Sequence, residues 1–241
     1  YNTRAAAEEM GLPVFLVQHH YAHILSCMAE NEWTTEKKVI GVSFDGTGYG
    51  TDGTIWGGEI LLADYDSFTR WGCIEPFAQT GGDASAKEGW RIAVSLLGKI
   101  YGKEIALSII ETLGLCEPKL AKLQFTMEER GINTVQSTSA GRLFDAVSAI
   151  LDIRKSSTFE GEASTSLQFA AEKWLDAQKK KIAGSEDFAE SGIITDYGEL
   201  KSISDVAQKS VVEKNNSINR NIKADLYYLP TLSLVKEVAE R

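Results

Sequence analysis

The 241-residue chain lacks several features that would assign its class directly. Its three cysteines, Cys27, Cys73 and Cys116, lie far apart with no CxxC pair, so neither a zinc knuckle nor a disulfide framework is indicated. Sparse, unpaired thiols are typical of a reducing compartment and predict a cytoplasmic protein. No apolar run approaches about eighteen residues and no basic-then-apolar leader opens the chain, so we expect neither a membrane span nor a signal peptide.

The chain also has no excess of basic residues. The formal net charge is -9 at pH 7, which disfavours a non-specific nucleic-acid binder, because such a protein needs a basic face to displace counterions. A content of 43% hydrophobic and 24% charged residues is ordinary for a globular protein. The length allows one large domain or two small ones.

The two ends of the sequence resemble internal segments of a longer protein. The chain begins with Tyr1 and enters a helix-like pattern almost at once, and residues 234–241 form an amphipathic segment with no glycine after it to end a helix. We therefore expect this chain to be a piece of a longer polypeptide.

A glycine-rich stretch at residues 44–59 is the most informative part of the sequence. It reads FDGTGYGTDGTIWGGE, contains six glycines, and follows a β-branched run at residues 39–44. Glycine permits positive φ angles and close approach of main-chain N–H groups to a ligand. The alternative is a pair of ordinary hairpin turns at residues 48–50 and 52–53. The density of glycine favours a ligand loop.

Polar side chains in this stretch add candidate ligand contacts. Asp45 and Asp52 could hold a metal or position a hydroxyl group. Hydroxyl groups that could bond to phosphate oxygens are those of Thr47, Thr51 and Thr54.

All three histidines fall within one five-residue window, residues 19–23. His19 and His23 are four residues apart at the start of a predicted helix, which places both imidazoles on one face, as in sites with paired nitrogen ligands. A chance pair of surface or core histidines remains an equal alternative. If a strand at residues 14–17 lies beside the strand at 39–44, Asp45 emerges near His19 and completes a metal site with open positions.

Periodicity predicts an α/β protein, with ligands beyond the strand ends. Residues 1–82 are predicted as an α/β core, 83–190 as mainly helical, and 191–241 as the truncated end of the same domain. The predicted strands are residues 13–17, 39–44, 55–63 and 67–76, with weaker signals at 193–197 and 226–229. The predicted helices are residues 3–10, 19–31, 84–100, 104–113, 119–129, 141–151 and 161–182.

Three further polar groups lie at predicted helix starts. Arg91 could pair with Glu88 or with an anionic ligand. Arg142 suits a phosphate and Asp145 a ribose hydroxyl, although either could be a capping or surface charge. Gly161 lies between two glutamates at a predicted helix start. The helix dipole favours carboxylates at this position whether or not a ligand binds there.

Four segments occur in a diagnostic order: VQHHYAH at residues 17–23, the glycine-rich stretch at 44–59, GRLFDAV at 141–147 and FEGEA at 159–163. Together they resemble the C-terminal carbamoyltransferase domain of the HypF family of nickel–iron hydrogenase maturation proteins. The similarity spans about residues 1–170. The HxxxH and GRxFD segments are shared with tRNA threonylcarbamoyl-adenosine transferases and antibiotic O-carbamoyltransferases.

The resemblance implies part of an actin/sugar kinase/Hsp70-type, ribonuclease H-like domain with a large helical insertion. It also implies that carbamoyl phosphate and ATP give carbamoyl-adenylate in a neighbouring domain. The present domain would then pass the carbamoyl group to the C-terminal cysteine of HypE, a step towards the cyanide ligands of the hydrogenase.

By residue matching, the resemblance also implies the ligand contacts. His19, His23 and Asp45 would hold a divalent metal, iron or zinc, which polarises the carbamoyl carbonyl, and magnesium is expected with the nucleotide. The phosphates would contact Gly46, Thr47 and Gly48, and the nucleoside would contact Asp145 and Gly161. No catalytic acid, base or nucleophile is identified.

The sequence departs from the family pattern in two ways. Gly89 replaces a proline that the family usually has. The resemblance also leads us to expect a further nucleotide loop and metal-binding aspartate after Arg241, and acylphosphatase-like, zinc-binding and adenylate-forming domains before Tyr1. We therefore expect the isolated chain to be inactive.

Two other functions remain open. One is another carbamoyl transfer: threonylcarbamoyl transfer to tRNA, which the acidic charge and the DGTGYG sequence disfavour, or O-carbamoyl transfer. The other is a fragment that only binds nucleotide or a protein partner.

Overall fold

The computed structural model describes residues 2–11, 13–183 and 227–229. The chain divides into two compact units, Tyr1–Leu167 with Leu226–Arg241, and Gln168–Asp225. The helices are α1 (Asn2–Glu9), α2 (His19–Glu30), α3 (Gly89–Tyr101), α4 (Lys103–Thr112), α5 (Pro118–Glu129), α6 (Ala140–Ile150) and α7 (Glu162–Ala183). The strands are β1 (Val39–Tyr49), β2 (Ile55–Ala63), β3 (Phe68–Ile74), β4 (Phe77–Thr80), β5 (Thr134–Ser137) and β6 (Tyr227–Leu229).

A mixed six-stranded sheet organises the first unit. Its order is β4-β5-β2-β3-β6, and β1 pairs with β2. The β1–β2, β2–β3 and β4–β5 pairs are antiparallel, whereas β5 and β6 run parallel to β2 and β3 respectively. This mixed sheet with its helices confirms the predicted α/β class.

Two hydrophobic clusters stabilise the unit. The larger one packs α3 against α4, α5 and α6, and includes Leu97 and Ile110, both fully buried. The smaller one packs α2 over β1 and β2, and includes Ile24 and Leu61. A Cβ atom on Gly41 would lie 2.3 Å from Ile24 Cδ1, so glycine in β1 allows α2 to lie directly on the strand.

The strand predicted at residues 13–17 is wrong. Residues 13–18 have no regular secondary structure, and Phe15 and Leu16 are 87% and 66% exposed. An apolar run forms a strand only where another strand offers its backbone groups, and no described strand pairs with this segment. The proposed pairing of this segment with β1 is therefore also wrong.

The strand predicted at residues 39–44 continues through the glycines to Tyr49. The chain turns only at residues 50–54 and returns as β2, with a register shift between Phe44 and Gly48. The hairpin alternative therefore describes residues 52–53 correctly, while Asp45, Gly46 and Thr47 form a bulge within β1. Such a bulge re-aims side chains without ending the strand.

The remaining boundaries differ from the predictions only locally. The helix predicted from residue 84 begins as a 3-10 turn, Gly82–Ala86, and becomes α-helical only at Gly89; Glu88, whose ψ angle of 80° is not helical, separates the two. The four-residue strands β4 and β5 were not predicted. β6 lies in the apolar run at 226–229, whereas the segment at 193–197 lies outside the described residues.

The proposed domain boundaries stay a prediction. Within the described ranges, no helix combines the length and apolarity needed to cross a bilayer.

Candidate functional site

The start of α2 carries the three histidines and buries one of them while leaving the other two exposed. Gln18 caps the helix, its side-chain oxygen accepting from the N–H of Tyr21 at 2.9 Å. His20 is fully buried against β1, where a Cβ atom on Gly48 would lie 2.3 Å from its Cε1. Burial lowers the pKa of His20. We therefore assign His20 and Gly48 to packing of α2 on β1.

His19 and His23 lie on the exposed face of α2 and meet Asp45. The His19 Nε2 lies 2.6 Å from Asp45 Oδ2 and 3.1 Å from His23 Nε2, and His23 Nε2 lies 3.7 Å from the same carboxylate oxygen. One ligand atom from each residue lies within 4.8 Å of the other two. Two imidazole nitrogens and one carboxylate oxygen converging in this way fit a divalent metal such as zinc or iron, with positions left open.

The bulge in β1 positions Asp45. Burial by itself raises the pKa of Asp45, but hydrogen bonds from the Gly46 N–H at 2.6 Å and from His19 outweigh burial and hold that pKa below its ordinary value. The carboxylate is therefore ionised at neutral pH. An ionised carboxylate beside two imidazoles is what a metal ligand set requires.

The N-terminus of α6 packs against the same bulge. Ser139 caps α6, accepting from the Arg142 N–H at 3.0 Å and donating to the Gly46 carbonyl at 2.6 Å. A Cβ atom on Gly141 would lie 2.8 Å from the Gly46 Cα. Two facing glycines thus bring the helix N-terminus and the strand into direct contact.

A cavity of about 630 Å³ opens beside these elements. It is lined by His19, Asp45, Gly46, Thr47, Ala86, Lys87, Gly141, Arg142, Asp145, Thr158, Phe159, Glu160, Gly161 and Ser164. The structure therefore brings six predicted ligand contacts to one cleft: His19, Asp45, Gly46, Thr47, Asp145 and Gly161. Of the other predicted contacts, Gly48 lies under His20, and His23 belongs to the histidine–aspartate cluster without lining the cleft.

Arg142 and Asp145 form a buried ion pair in the wall of this cleft. The Arg142 Nη1 lies 2.8 Å from Asp145 Oδ2, and the two side chains are only 11% and 7% exposed. Burial raises the pKa of Asp145 to about 6, although the Arg142 charge opposes that shift. Arg142 also donates to the Ala86 carbonyl. Asp145 is thus held rigidly in the cleft and is not a surface charge.

Several other candidate residues have structural roles instead. Asp52 organises the β1–β2 turn, accepting from Thr54 and from the Trp56 indole at 3.0 Å, and lies outside the cleft. Arg91 pairs with Glu88 at 2.5 Å, which confirms the salt-bridge alternative.

The last of these structural roles concerns Glu162, at the start of α7. Its carboxylate accepts from the N–H and the hydroxyl of Thr158 and lies 3.3 Å from Arg154, so it holds the segment that precedes its helix.

Sequence reasoning missed a buried network behind the cleft. Glu59 is fully buried in β2, accepts from the Thr138 hydroxyl at 2.5 Å and pairs with Arg70 at 2.7 Å. Thr138 directly precedes the cap residue Ser139, so the network fixes the start of α6. A glutamate in the otherwise apolar β2 was the available signal. Lys87, which lines the cleft, was also missed, although it falls within the polar segment at residues 83–91.

In comparisons with known proteins, the segment that carries the histidines and the segment that carries Asp45 both match HypF-type family models. The family described as "Carbamoyltransferase, Kae1-like Domain, second subdomain" matches residues 41–229, which include Asp45 and every other residue of the cleft except His19. The family described as "HypF Kae1-like domain" matches residues 1–30, which include His19 and His23.

Curated relatives show the same similarity. Carbamoyltransferase HypF of Rhodobacter capsulatus is 40% identical over 169 residues, covering 69% of this chain and 22% of the relative. The probable carbamoyltransferase HypF of Methanocaldococcus jannaschii is 38% identical over 178 residues, covering 72% of this chain and 23% of the relative. The chain thus spans about a fifth to a quarter of the length of these relatives.

Solved structures support the fold. A crystal structure of full-length HypF in the phosphate- and nucleotide-bound form aligns with a TM-score of 0.61 at 37% identity, covering 69% of this chain and 21% of that one. The T. kodakarensis HypF structure aligns with a TM-score of 0.60 at 34% identity, covering 69% of this chain and 23% of that structure. These alignments confirm the predicted fold class.

Proposed function

Because the chain belongs to the HypF carbamoyltransferase family, whose Kae1-like domain it matches, we propose that it transfers a carbamoyl group from carbamoyl-adenylate to the C-terminal cysteine thiol of HypE. The adenylate would be formed from carbamoyl phosphate and ATP, and the product would serve cyanide ligand synthesis. One observation carries the proposal: the His19–Asp45 pair and the buried Asp145 line a single cavity of about 630 Å³.

His19, His23 and Asp45 are the proposed ligands of the divalent metal, iron or zinc. When bound, the metal would supply Lewis-acid polarisation of the carbamoyl carbonyl. The ligand atoms already lie within 4.8 Å of one another, so little rearrangement of α2 and β1 is needed to hold the ion.

The remaining wall of the cleft suits a nucleotide. We propose that Gly46 and Thr47 contact phosphate oxygens, with magnesium accompanying the nucleotide, because Gly46 adds no side-chain bulk and lets an anion approach the main chain of the bulge. The Gly46 N–H itself donates to Asp45, so the N–H of Thr47 is the proposed donor. Asp145 and Gly161 would contact the nucleoside. Gly48 contributes indirectly, since its missing side chain allows His20 to pack beneath the bulge.

A cytoplasmic location is part of the same proposal. The three cysteines, Cys27, Cys73 and Cys116, are all free thiols, which suits a reducing compartment. The acidic net charge of -9 favours a protein acceptor such as HypE over tRNA.

Metal content together with nucleotide affinity tests the proposal. The purified chain is loaded with zinc or ferrous iron, desalted and analysed by plasma mass spectrometry, beside a His19→Ala/His23→Ala double variant. We expect about one ion per chain in the wild type and at least a hundredfold weaker retention in the variant, because two of three ligands are gone. AMP binding is measured on the same samples.

Ser26→Ala is the matched control, since Ser26 lies exposed on α2 and its hydroxyl donates to the Ala22 carbonyl. It should bind metal as the wild type does. Equal metal retention in the double variant would refute the assigned ligands. Carbamoyl transfer is assayed separately, by mass spectrometry of the HypE C-terminal peptide after incubation with the chain and carbamoyl-adenylate.

A further inference from the structure

The lining of the cleft includes two cationic residues, Lys87 and Arg142. The Arg142 guanidinium spans the space between the 3-10 turn and the β1 bulge. Its Nη1 donates to the Ala86 carbonyl, and its Nη2 lies 3.5 Å from the position that a Cβ atom on Gly46 would take. Arg142 therefore lies next to the backbone that we assign to phosphate binding.

Lys87 follows Ala86 directly and is fixed through its backbone. Its N–H donates to the Ala84 carbonyl at 3.0 Å, and its carbonyl accepts from the Ser157 N–H at 2.7 Å. That second bond ties it to the residue before the Thr158–Gly161 part of the cleft wall. The Cα position of Lys87 is thus set by both sides of the cleft.

The ammonium group of Lys87 has no anionic partner within the described ranges 2–11, 13–183 and 227–229. The other charges in the cleft are Asp145, paired with Arg142; Asp45, paired with His19; and the unpaired carboxylate of Glu160. Glu160 adjoins Gly161 at the end that we assign to the nucleoside. Lys87 is therefore the cation of the cleft that is free to meet an anion.

We propose that Lys87 binds the phosphate of the nucleotide and stabilises it as the leaving group. This inference rests on the proposed function and names the chemistry of the same cleft: a nucleoside monophosphate ester. Arg142 is held in place by Asp145 and Ala86 and supports the same phosphate from the side of the bulge. The three faces of the phosphate site are then Lys87, Arg142 and the Gly46–Thr47 backbone.

The transfer step explains why a free cation is needed at this place. The acceptor sulfur forms a bond to the carbamoyl carbon, the bond from that carbon to the phosphate oxygen breaks, and its electron pair stays on the phosphate. The thiol proton passes to water. The phosphate changes from a monoanion to a monoester whose charge approaches -2 near neutral pH, and a lysine beside it stabilises the charge that develops.

Paired titrations with AMP and adenosine isolate the contribution of Lys87. Binding of each ligand to the full 241-residue chain is measured by calorimetry for the wild type, Lys87→Ala and Lys87→Arg. Lys87→Ala should weaken AMP binding about tenfold, because one charge-assisted contact is lost, and leave adenosine binding unchanged. Lys87→Arg should retain most of the AMP affinity.

Lys119→Ala is the matched control, an exposed lysine of α5 that lines no part of the cleft. Equal AMP affinity in Lys87→Ala and wild type would overturn the assignment of Lys87 and leave the nucleotide site standing. Equal losses for AMP and adenosine would also overturn it, since they indicate a structural role. A wild-type chain that binds neither ligand would refute the proposed nucleotide site, and this inference with it.

Discussion

At the scale of single residues, the three neighbouring histidines differ because successive helix positions are rotated by about 100°. His19 and His23 share a face and reach Asp45, whereas His20 lies a third of a turn away and is buried on Gly48. The i,i+4 spacing was visible in the sequence. Which face points to the carboxylate was not, because that depends on how α2 packs on β1.

Asp145 should make stability depend on pH. Its pKa is raised from 3.8 to about 6 by burial, so the folded chain binds a proton more tightly than the unfolded chain does. The stabilisation from this group is complete below about pH 4 and is lost as pH rises to about 6. The free energy of unfolding should fall by about 2–3 kcal/mol over this window on account of Asp145.

Urea titrations between pH 4 and 7 for wild type and Asp145→Asn check this effect. The variant should lose this part of the pH dependence, because an amide does not ionise. Asp66→Asn, at an exposed turn, should leave the wild-type profile unchanged. An unaltered profile in Asp145→Asn would show that the Arg142 charge keeps Asp145 ionised throughout.

At the scale of secondary structure, local patterns predicted the helices and missed the sheet edges. The 3.6-residue periodicity of α3 to α6 is a property of each segment, so their boundaries were found to within a few residues, apart from the 3-10 turn before α3. The strand prediction for residues 13–17 is wrong because a strand needs a pairing partner, which is distant in sequence and not visible in the local pattern. β4 and β5 are only four residues long, too short for a periodic signal.

Gly141 tests the contact between α6 and the β1 bulge. In a helix, Gly→Ala ordinarily stabilises by about 1 kcal/mol. Here the added methyl would lie 2.8 Å from the Gly46 Cα, and displacing backbone in this way costs about 1–3 kcal/mol. We expect the steric cost to exceed the gain in helix propensity. Gly141→Ala should therefore lower the free energy of unfolding and weaken metal retention.

Chemical denaturation and metal analysis measure both effects. Ser108→Ala on the exposed face of α4 is the control for helix propensity alone and should be neutral or slightly stabilising. A Gly141→Ala variant that is more stable and binds metal normally would argue against the close contact.

At the scale of the whole first unit, the cleft takes residues from both hydrophobic clusters. α2, which packs in the smaller cluster, supplies His19, and α6, which packs in the larger cluster, supplies Arg142 and Asp145. The buried Glu59–Thr138 bond links β2 to the start of α6. The site is therefore intact only when both clusters are folded.

Cavity-creating substitutions in either cluster should destabilise the unit as a whole. Leu97→Ala in the larger cluster and Leu61→Ala in the smaller one each remove a fully buried side chain and should each cost about 2–5 kcal/mol. In urea, circular dichroism and tryptophan fluorescence should report one coincident transition for each variant. Leu123→Ala, at a 57% exposed position, should change stability by less than about 0.5 kcal/mol. Separate transitions for the two probes would show that the clusters unfold independently.

The sequence by itself determined the α/β class, most helices, the HxxxH pair and the glycine-rich stretch, because these are set by local periodicity and residue type. Asp45 and Asp145 were candidates from their positions at a strand end and a helix start, and the family resemblance added Gly161 as a candidate contact. Only the tertiary structure decided that these residues line one cleft, that Gly48 serves packing, and that Glu59 and Lys87 belong to the site. Burial, the pairing of charges and the approach of two backbones arise between segments distant in sequence, and no local pattern encodes them.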